Sequence, residues 1–167
     1  AANECGTGVP TLNDIIGEVS DIVKSQAVAK NLEYSVSVDI KDEMVYCDKL
    51  KLNQIFFNLL GNAVKYTKNG GMVSFEAKQV QSKSNEYSAY LFTVKDTGVG
   101  MTEMFLSKVF EPFERERTEQ TMTIQGTGLG LAICRNVIEK CEGEIRYQKS
   151  QLLGGASVNV TLPAHDA

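Results

Sequence analysis

Two asparagines, Asn58 and Asn62, stand four apart, with Lys65 three and Tyr66 four residues beyond Asn62, in the run Asn-Leu-Leu-Gly-Asn-Ala-Val-Lys-Tyr-Thr, which ends at Thr67. Those offsets bring side chains to one side of a helix. Asparagine is a poor helix former, because its carboxamide competes for nearby backbone groups. A pair one turn apart therefore asks for a purpose. Carboxamide oxygens ligate hard cations such as Mg²⁺, which keeps several waters and takes phosphate oxygens as further ligands. A lysine on the same face supplies positive charge for those phosphates. A solvated helix face of ordinary polar residues accounts for the same pattern.

Two glycine segments carry the other chemistry. Gly126, Gly128 and Gly130 alternate with Thr127 and Leu129 ahead of an apolar helical run. Glycine lets backbone approach a phosphate closely, and a helix start offers free N–H groups and a positive dipole end. The Lys-Ser/Thr ending of a P-loop is missing, and a polar segment precedes the glycines where a dinucleotide fingerprint needs a strand. Asp96 ends an apolar run just before Gly98 and Gly100. An ionised carboxylate only accepts hydrogen bonds. Adenine offers an amino donor where guanine offers a carbonyl acceptor, so a buried Asp at the base of a pocket selects adenine. An Asx turn closing a strand is the alternative reading of Asp96.

These residues need a frame, and hydrophobic periodicity supplies one. Leu52, Ile55, Phe56, Leu59 and Ala63 make the buried stripe of a helix predicted over Asp48–Thr67. An earlier helix is predicted from Thr11 to about Lys30, with Thr11 or Asn13 as its cap. Alternation predicts a strand over Leu32–Ile40 with one wet face, and Met44–Cys47 reads as a short extended piece. Asn69-Gly70-Gly71 turns the chain into an antiparallel pair predicted near Met72–Gln81 and Tyr87–Lys95. Glu114 to Gln125 is polar, has no period and holds Arg115 and Arg117; it reads as a lid. The glycines at 126–130 lead into a helix to about Cys141, and strands follow near Glu144–Lys149 and Ala156–Leu162. Helices and strands mix without strict βαβ alternation, so the fold class is α+β.

The 167 residues suit one domain over 10–167, behind a leader at 1–9. Net charge is −4 and no basic block occurs, which argues against duplex nucleic acid as a partner. No apolar run approaches the ~20 residues of a membrane span, so no direct membrane insertion is expected, and no signal-peptide pattern is present. Cys5, Cys47, Cys134 and Cys141 lack C-x-x-C spacing and read as small buried hydrophobes in a reducing compartment. The one histidine, His165, lies two residues from the last residue, Ala167, which excludes a His-based triad or a His-rich metal site in the core.

Taken together and in order, Asn58–Thr67, Asp96–Met101, Phe110–Phe113 and Gly126–Ala132 resemble the N, G1, F and G2 boxes of the ATP-binding catalytic domain of sensor histidine kinases. Each box alone is unspecific; the set of four, with Asp48 ahead of Leu52-Asn53-Gln54-Ile55 and the closing Leu162-Pro163, is strong. The resemblance implies a Bergerat-type two-layer α/β sandwich: a mixed, mainly antiparallel sheet of about five strands, backed by three helices, with an ATP lid. It implies that Asn62, with Asn58 beside it, ligates Mg²⁺, that Lys65 meets the phosphates and that Tyr66 meets the nucleotide. Asp96 then holds the adenine amine, Gly98 and Gly100 let the ring approach, and Gly126, Thr127, Gly128, Leu129 and Gly130 wrap the triphosphate. Arg115 falls where members often carry a lid arginine near the γ-phosphate, and Phe110 and Phe113 anchor that lid.

The family's phosphoacceptor histidine lies on a dimerisation hairpin N-terminal to this domain, and the chain is expected to begin too late to contain it. The implied function is donation of the γ-phosphoryl group of Mg-ATP to that histidine, in a cytoplasmic two-component system whose next partner is a response-regulator receiver. The alternatives are another ATPase or serine kinase of the same fold, or a degenerate nucleotide-sensing or docking module. The ATPases and serine kinases usually place an acidic base beside the metal-ligand Asn; here Asn58 and Gln54 stand about one and two turns before Asn62, with Glu at neither.

Overall fold

The computed structural model describes residues 11–40, 49–80, 88–98, 130–149 and 155–164. Its elements in chain order are α1 (Leu12–Ala29), β1 (Glu33–Asp39), α2 (Lys49–Tyr66), β2 (Met72–Val80), β3 (Ser88–Asp96), α3 (Gly130–Lys140), β4 (Glu144–Lys149) and β5 (Ala156–Ala164). The predicted elements that fall on described residues are all present, with ends moved by a residue or two. Met44–Cys47, the segment after Met101 and the lid lie outside the described residues.

Helix α1 starts where the sequence provides a cap: the Thr11 Oγ1 accepts from the Asp14 N–H at 3.1 Å. It stops in a Schellman motif, in which the Leu32 N–H reaches the Ala27 carbonyl and the Asn31 N–H reaches Val28. Asn31 takes the left-handed position, φ 61°, which Asn tolerates better than most residues. The buried stripe is Leu12, Ile15, Ile16, Val19, Val23 and Ala27. Ser20 shares a 3.0 Å hydrogen bond with the Tyr34 hydroxyl of β1.

The five strands form one sheet in the order β1-β2-β3-β5-β4. β1 and β2 are parallel, with α2 as their crossover, and every other pair is antiparallel. That is the predicted mixed, mainly antiparallel sheet, with the three described helices packed on the face carrying Val73, Phe75, Phe92, Val94, Val158 and Val160. Helix α2 is clamped to the middle of this face. Phe56 packs against Phe75 and Phe92 with centroid separations of 5.3 and 5.0 Å, the second edge-on. Leu60 and Val64 join the expected stripe.

β1 departs from its alternation pattern. The face carrying Tyr34, Val36 and Val38 was expected to be dry, yet Val36 and Val38 are 46% and 41% exposed. β1 is an edge strand of the described sheet; α1 is tied to both ends of it, through Ser20 with Tyr34 and through the Asn13 Nδ2 donating to the Ile40 carbonyl at 3.3 Å, and Val36 and Val38 between them stay open. Cys134 and Cys141 are free and buried, as expected of small hydrophobes. The Cys134 thiol donates to the Ile55 carbonyl at 3.7 Å, tying α3 to α2.

Candidate functional site

Because α2 turns its apolar stripe to the sheet, the Asn58, Asn62, Lys65 and Tyr66 side is left half-buried at the margin of the core. The Lys65 ammonium lies 5.8 Å from the centroid of the Tyr66 ring, within cation–π range. The end of the helix is fixed from behind. The Lys30 ammonium, at the C-cap of α1, donates to the Val64 and Lys65 carbonyls at 2.8 Å each. Those carbonyls lie in the last turn, where orphan acceptors and the negative dipole end attract a cation. Burial lowers the Lys30 pKa from its ordinary value, and the two charge-assisted bonds offset that cost. The Thr67 hydroxyl closes the turn on the Ala63 carbonyl at 2.6 Å. Sequence reading passed over Lys30; nothing local distinguishes it from any other lysine ending a helix.

β3 delivers Asp96 to the same margin. Asp96 is 5% exposed, and its Oδ1 accepts the Gly98 N–H at 2.8 Å. The Asx turn read as an alternative is therefore formed, around a carboxylate that is also buried. Just beyond, Thr97 pins the chain to β2: its N–H donates to the Met72 carbonyl at 3.1 Å and its Oγ1 accepts from the Met72 N–H at 3.0 Å. Gly98 lies against the end of α2. A Cβ there would run into the Tyr66 carbonyl oxygen and stand 2.8 Å from Asp96 Oδ1. The structure thus brings the Tyr66 end of α2, the helix that carries Asn58, Asn62 and Lys65, against Gly98 and the Asp96 turn.

Two further residues join this group. Tyr147 on β4 stands opposite Val158, which stands opposite Val94, so it shares the helix-facing side of the sheet with Asp96 two residues beyond Val94. Burial first, then the Asp96 carboxylate, the Tyr66 phenol and the Cys134 thiol push the Tyr147 phenol above its usual range. It is a neutral hydroxyl at neutral pH. Gly155, buried just before β5, backs onto Asp96. Alternation in β4 and the Gly-Gly pair were visible in the sequence, but their proximity to Asp96 depends on a register that only the folded sheet defines.

Gly130 is the first residue of α3, so the glycine segment does run into a helix start. Gly100, Arg115, Gly126, Thr127, Gly128 and Leu129 lie outside the described residues, as do Phe110 and Phe113. Among the described residues no group of three or more His, Cys, Asp or Glu could hold a metal ion. On the half-buried side of α2 that bears Lys65 and Tyr66, the oxygens open to a cation are those of the Asn58 and Asn62 carboxamides.

The mixed sheet, the helix layer and this site define a class of ATP-binding protein. Residues 47–166 match the family described as "Histidine kinase-, DNA gyrase B-, and HSP90-like ATPase". The chain belongs to that family and carries its ATP-binding domain. It is 36% identical, over 154 residues, to the autoinducer 2 sensor kinase/phosphatase LuxQ of Vibrio vulnificus (strain YJ016), a match covering 92% of this chain and 17% of LuxQ. Full-length ShkA, solved in complex with AMPPNP, aligns with a TM-score of 0.73 at 26% identity, over 100% of this chain and 33% of that one. The histidine kinase ThkA, solved in complex with response regulator protein TrrA, aligns with a TM-score of 0.71 at 25% identity, over 92% of this chain and 40% of that one. The fold is that of histidine kinase catalytic domains. The chain spans about a sixth of the length of the curated relative, at 17%.

Proposed function

We propose that this domain, residues 10–167 behind a leader at 1–9, holds Mg-ATP and donates its γ-phosphoryl group to a histidine on a separate dimerisation hairpin of the same protein, for onward transfer to a response-regulator receiver. The observation that carries this is the seating of the Asp96–Gly98 turn, with its buried carboxylate, against the Tyr66 end of α2, the helix that also bears Asn58, Asn62 and Lys65. AMPPNP in ShkA and the response regulator bound to ThkA support the same reading. Such chemistry belongs in the cytoplasm, and no described helix is long and apolar enough to cross a membrane.

Phosphoryl transfer needs positioning and charge neutralisation more than covalent chemistry from the protein. Asp96 accepts from the adenine amine and sets the register of the nucleotide. Tyr66 borders the nucleotide beside Gly98, Lys65 meets the phosphates, and Gly100 and the 126–130 segment let backbone N–H groups close on base and triphosphate. Arg115, on the lid, meets charge at the γ-phosphate. Two carboxamides without a carboxylate cluster fit a Mg²⁺ that arrives with the nucleotide and keeps most of its waters, better than a resident metal. Asn62, with Asn58, would hold it; once bound, it supplies neutralisation of phosphate charge.

The reading is tested with radiolabelled ATP, using the chain alone and with the parent protein's hairpin added. The chain alone should bind Mg-ATP and gain no acid-labile label, because transfer needs an imidazole held in line with the γ-phosphate. The hairpin should acquire label in trans. Label on the lone chain that vanishes in His165→Ala would overturn the assignment of donor without acceptor.

A further inference from the structure

Gly155 has a steric role that its position before β5 does not advertise. Among the described glycines only Gly70 takes a left-handed φ, so Gly155 is not needed for an unusual backbone angle. It is needed for space. A Cβ there would run into the Asp96 carbonyl oxygen, and would stand 2.7 Å from Asp96 Oδ1 and 2.7 Å from the Gly98 nitrogen. The Oδ1 and the Gly98 nitrogen are the two ends of the small ring in which the Gly98 N–H holds Asp96 Oδ1 at 2.8 Å, and the carbonyl oxygen is borne on that ring. The obstacles include backbone, which does not swing aside as the tip of a flexible side chain does. On the other side of that ring, Gly98 abuts the Tyr66 carbonyl. The carboxylate is therefore held between the start of β5 and the end of α2, with one oxygen committed to the turn.

We infer that Gly155 is a positioning residue for base selection: by leaving room for the Asp96–Gly98 turn, it fixes the direction in which Asp96 presents its acceptor to the exocyclic amine of a 6-aminopurine. This rests on the reading of Asp96 as the base acceptor. Direction matters because hydrogen bonds weaken steeply once donor and acceptor are misaligned. A side chain at 155 leaves Asp96 present and ionised but turned or displaced. The loss then falls on nucleotides that carry the amine, and spares those that do not.

The test titrates ATP and purine riboside triphosphate, which lacks the 6-amino group, into the 167-residue chain and its Gly155→Ala and Asp96→Asn variants. The wild type should prefer ATP by about tenfold or more, the scale of one well-made polar match. Gly155→Ala should bring that ratio to within about twofold while binding the analogue about as the wild type does, and adding Asp96→Asn should remove nothing further, because the two act on one contact. A ratio that survives in Gly155→Ala, with both nucleotides weakened alike, would mean a merely structural glycine and overturn the inference. A wild type with no preference would instead overturn the base reading of Asp96, and this inference with it. Should Gly155→Ala fail to fold by circular dichroism, the wild type still decides. Its Gly98 and Gly155 amide resonances should shift with ATP and much less with the analogue, and equal shifts would refute the proposal.

Discussion

Replacing Asp96 by Asn keeps size and shape but introduces donors where adenine also donates. With 5% exposure, water has little room to repair the mismatch, and a missed polar match in a buried site costs roughly 1–3 kcal/mol. Asp96→Asn should therefore lose ATP affinity by at least about tenfold while its unfolding midpoint stays near that of the wild type; calorimetry showing unchanged binding in a folded variant would remove Asp96 from the site. Asn62 makes a different claim. Asn62→Ala should weaken Mg-ATP far more than metal-free ATP, since what it loses is an oxygen for the cation. Equal weakening with and without EDTA would count against it as a ligand. Their candidacy was legible because each is marked locally: an Asn pair at helical spacing, an Asp before two glycines. Lys30, Tyr147 and Gly155 were not, because each acts on a residue distant in sequence, across a helix end or a strand register.

At the scale of the element, periodicity identified α1, α2 and α3 because burial on one face repeats within a few residues. It misjudged β1, because alternation reports which residues share a face and not whether anything lies over that face. The helix ends show a second limit. α3 closes in a Schellman motif, with Gly143 N–H to Ile138 O at 2.9 Å and Glu142 N–H to Glu139 O at 3.0 Å. The left-handed position, usually glycine, is filled by Glu142 at φ 61°, with Gly143 one residue too late. Holding an L-residue there costs about 1–2 kcal/mol, partly offset in a glycine variant by greater unfolded-chain entropy. Glu142 is exposed, so little else is lost. Glu142→Gly should stabilise the domain by about 1 kcal/mol and raise the thermal midpoint by about 2–4 °C. A midpoint unchanged or lowered in a calorimetric scan would contradict this.

At the scale of the molecule, several buried groups respond to alkali. Burial raises the Cys134 thiol from 9.0 to about 12. Burial also raises Tyr34, against a smaller opposing effect from its Ser20 hydrogen bond, and raises Tyr147 together with nearby charge. Each keeps its proton in the fold after the unfolded chain has released it, so the folded state binds more protons and stability falls as pH rises. The Cys134 contribution is complete below 9.0 and is lost on the way to about 12. Lys30 acts in the opposite sense: its pKa is lowered from 10.5, and its contribution improves toward that value. Urea unfolding at pH 9, 10 and 11 should show declining stability, with about 1.4 kcal/mol per pH unit attributable to one retained proton. Cys134→Ala should begin lower, from lost packing, and decline less steeply. Parallel declines would show that Cys134 does not carry the effect.

The strand order has a consequence for how the protein is made. β3 lies at the middle of the sheet, between β2, its immediate predecessor, and β5, the last strand of the described chain. As the polypeptide leaves the ribosome, the β2–β3 hairpin can close early, but the outer edge of β3 stays bare until β5 arrives. An unpaired strand edge is a template for pairing with other chains, and it must be shielded through the synthesis of α3 and β4. Asp96 and Gly98 belong to early-made chain; Gly155, which bounds their turn from behind, emerges just ahead of β5. Within this domain, the ring around Asp96 is therefore complete only once β5 and the glycine ahead of it have been made.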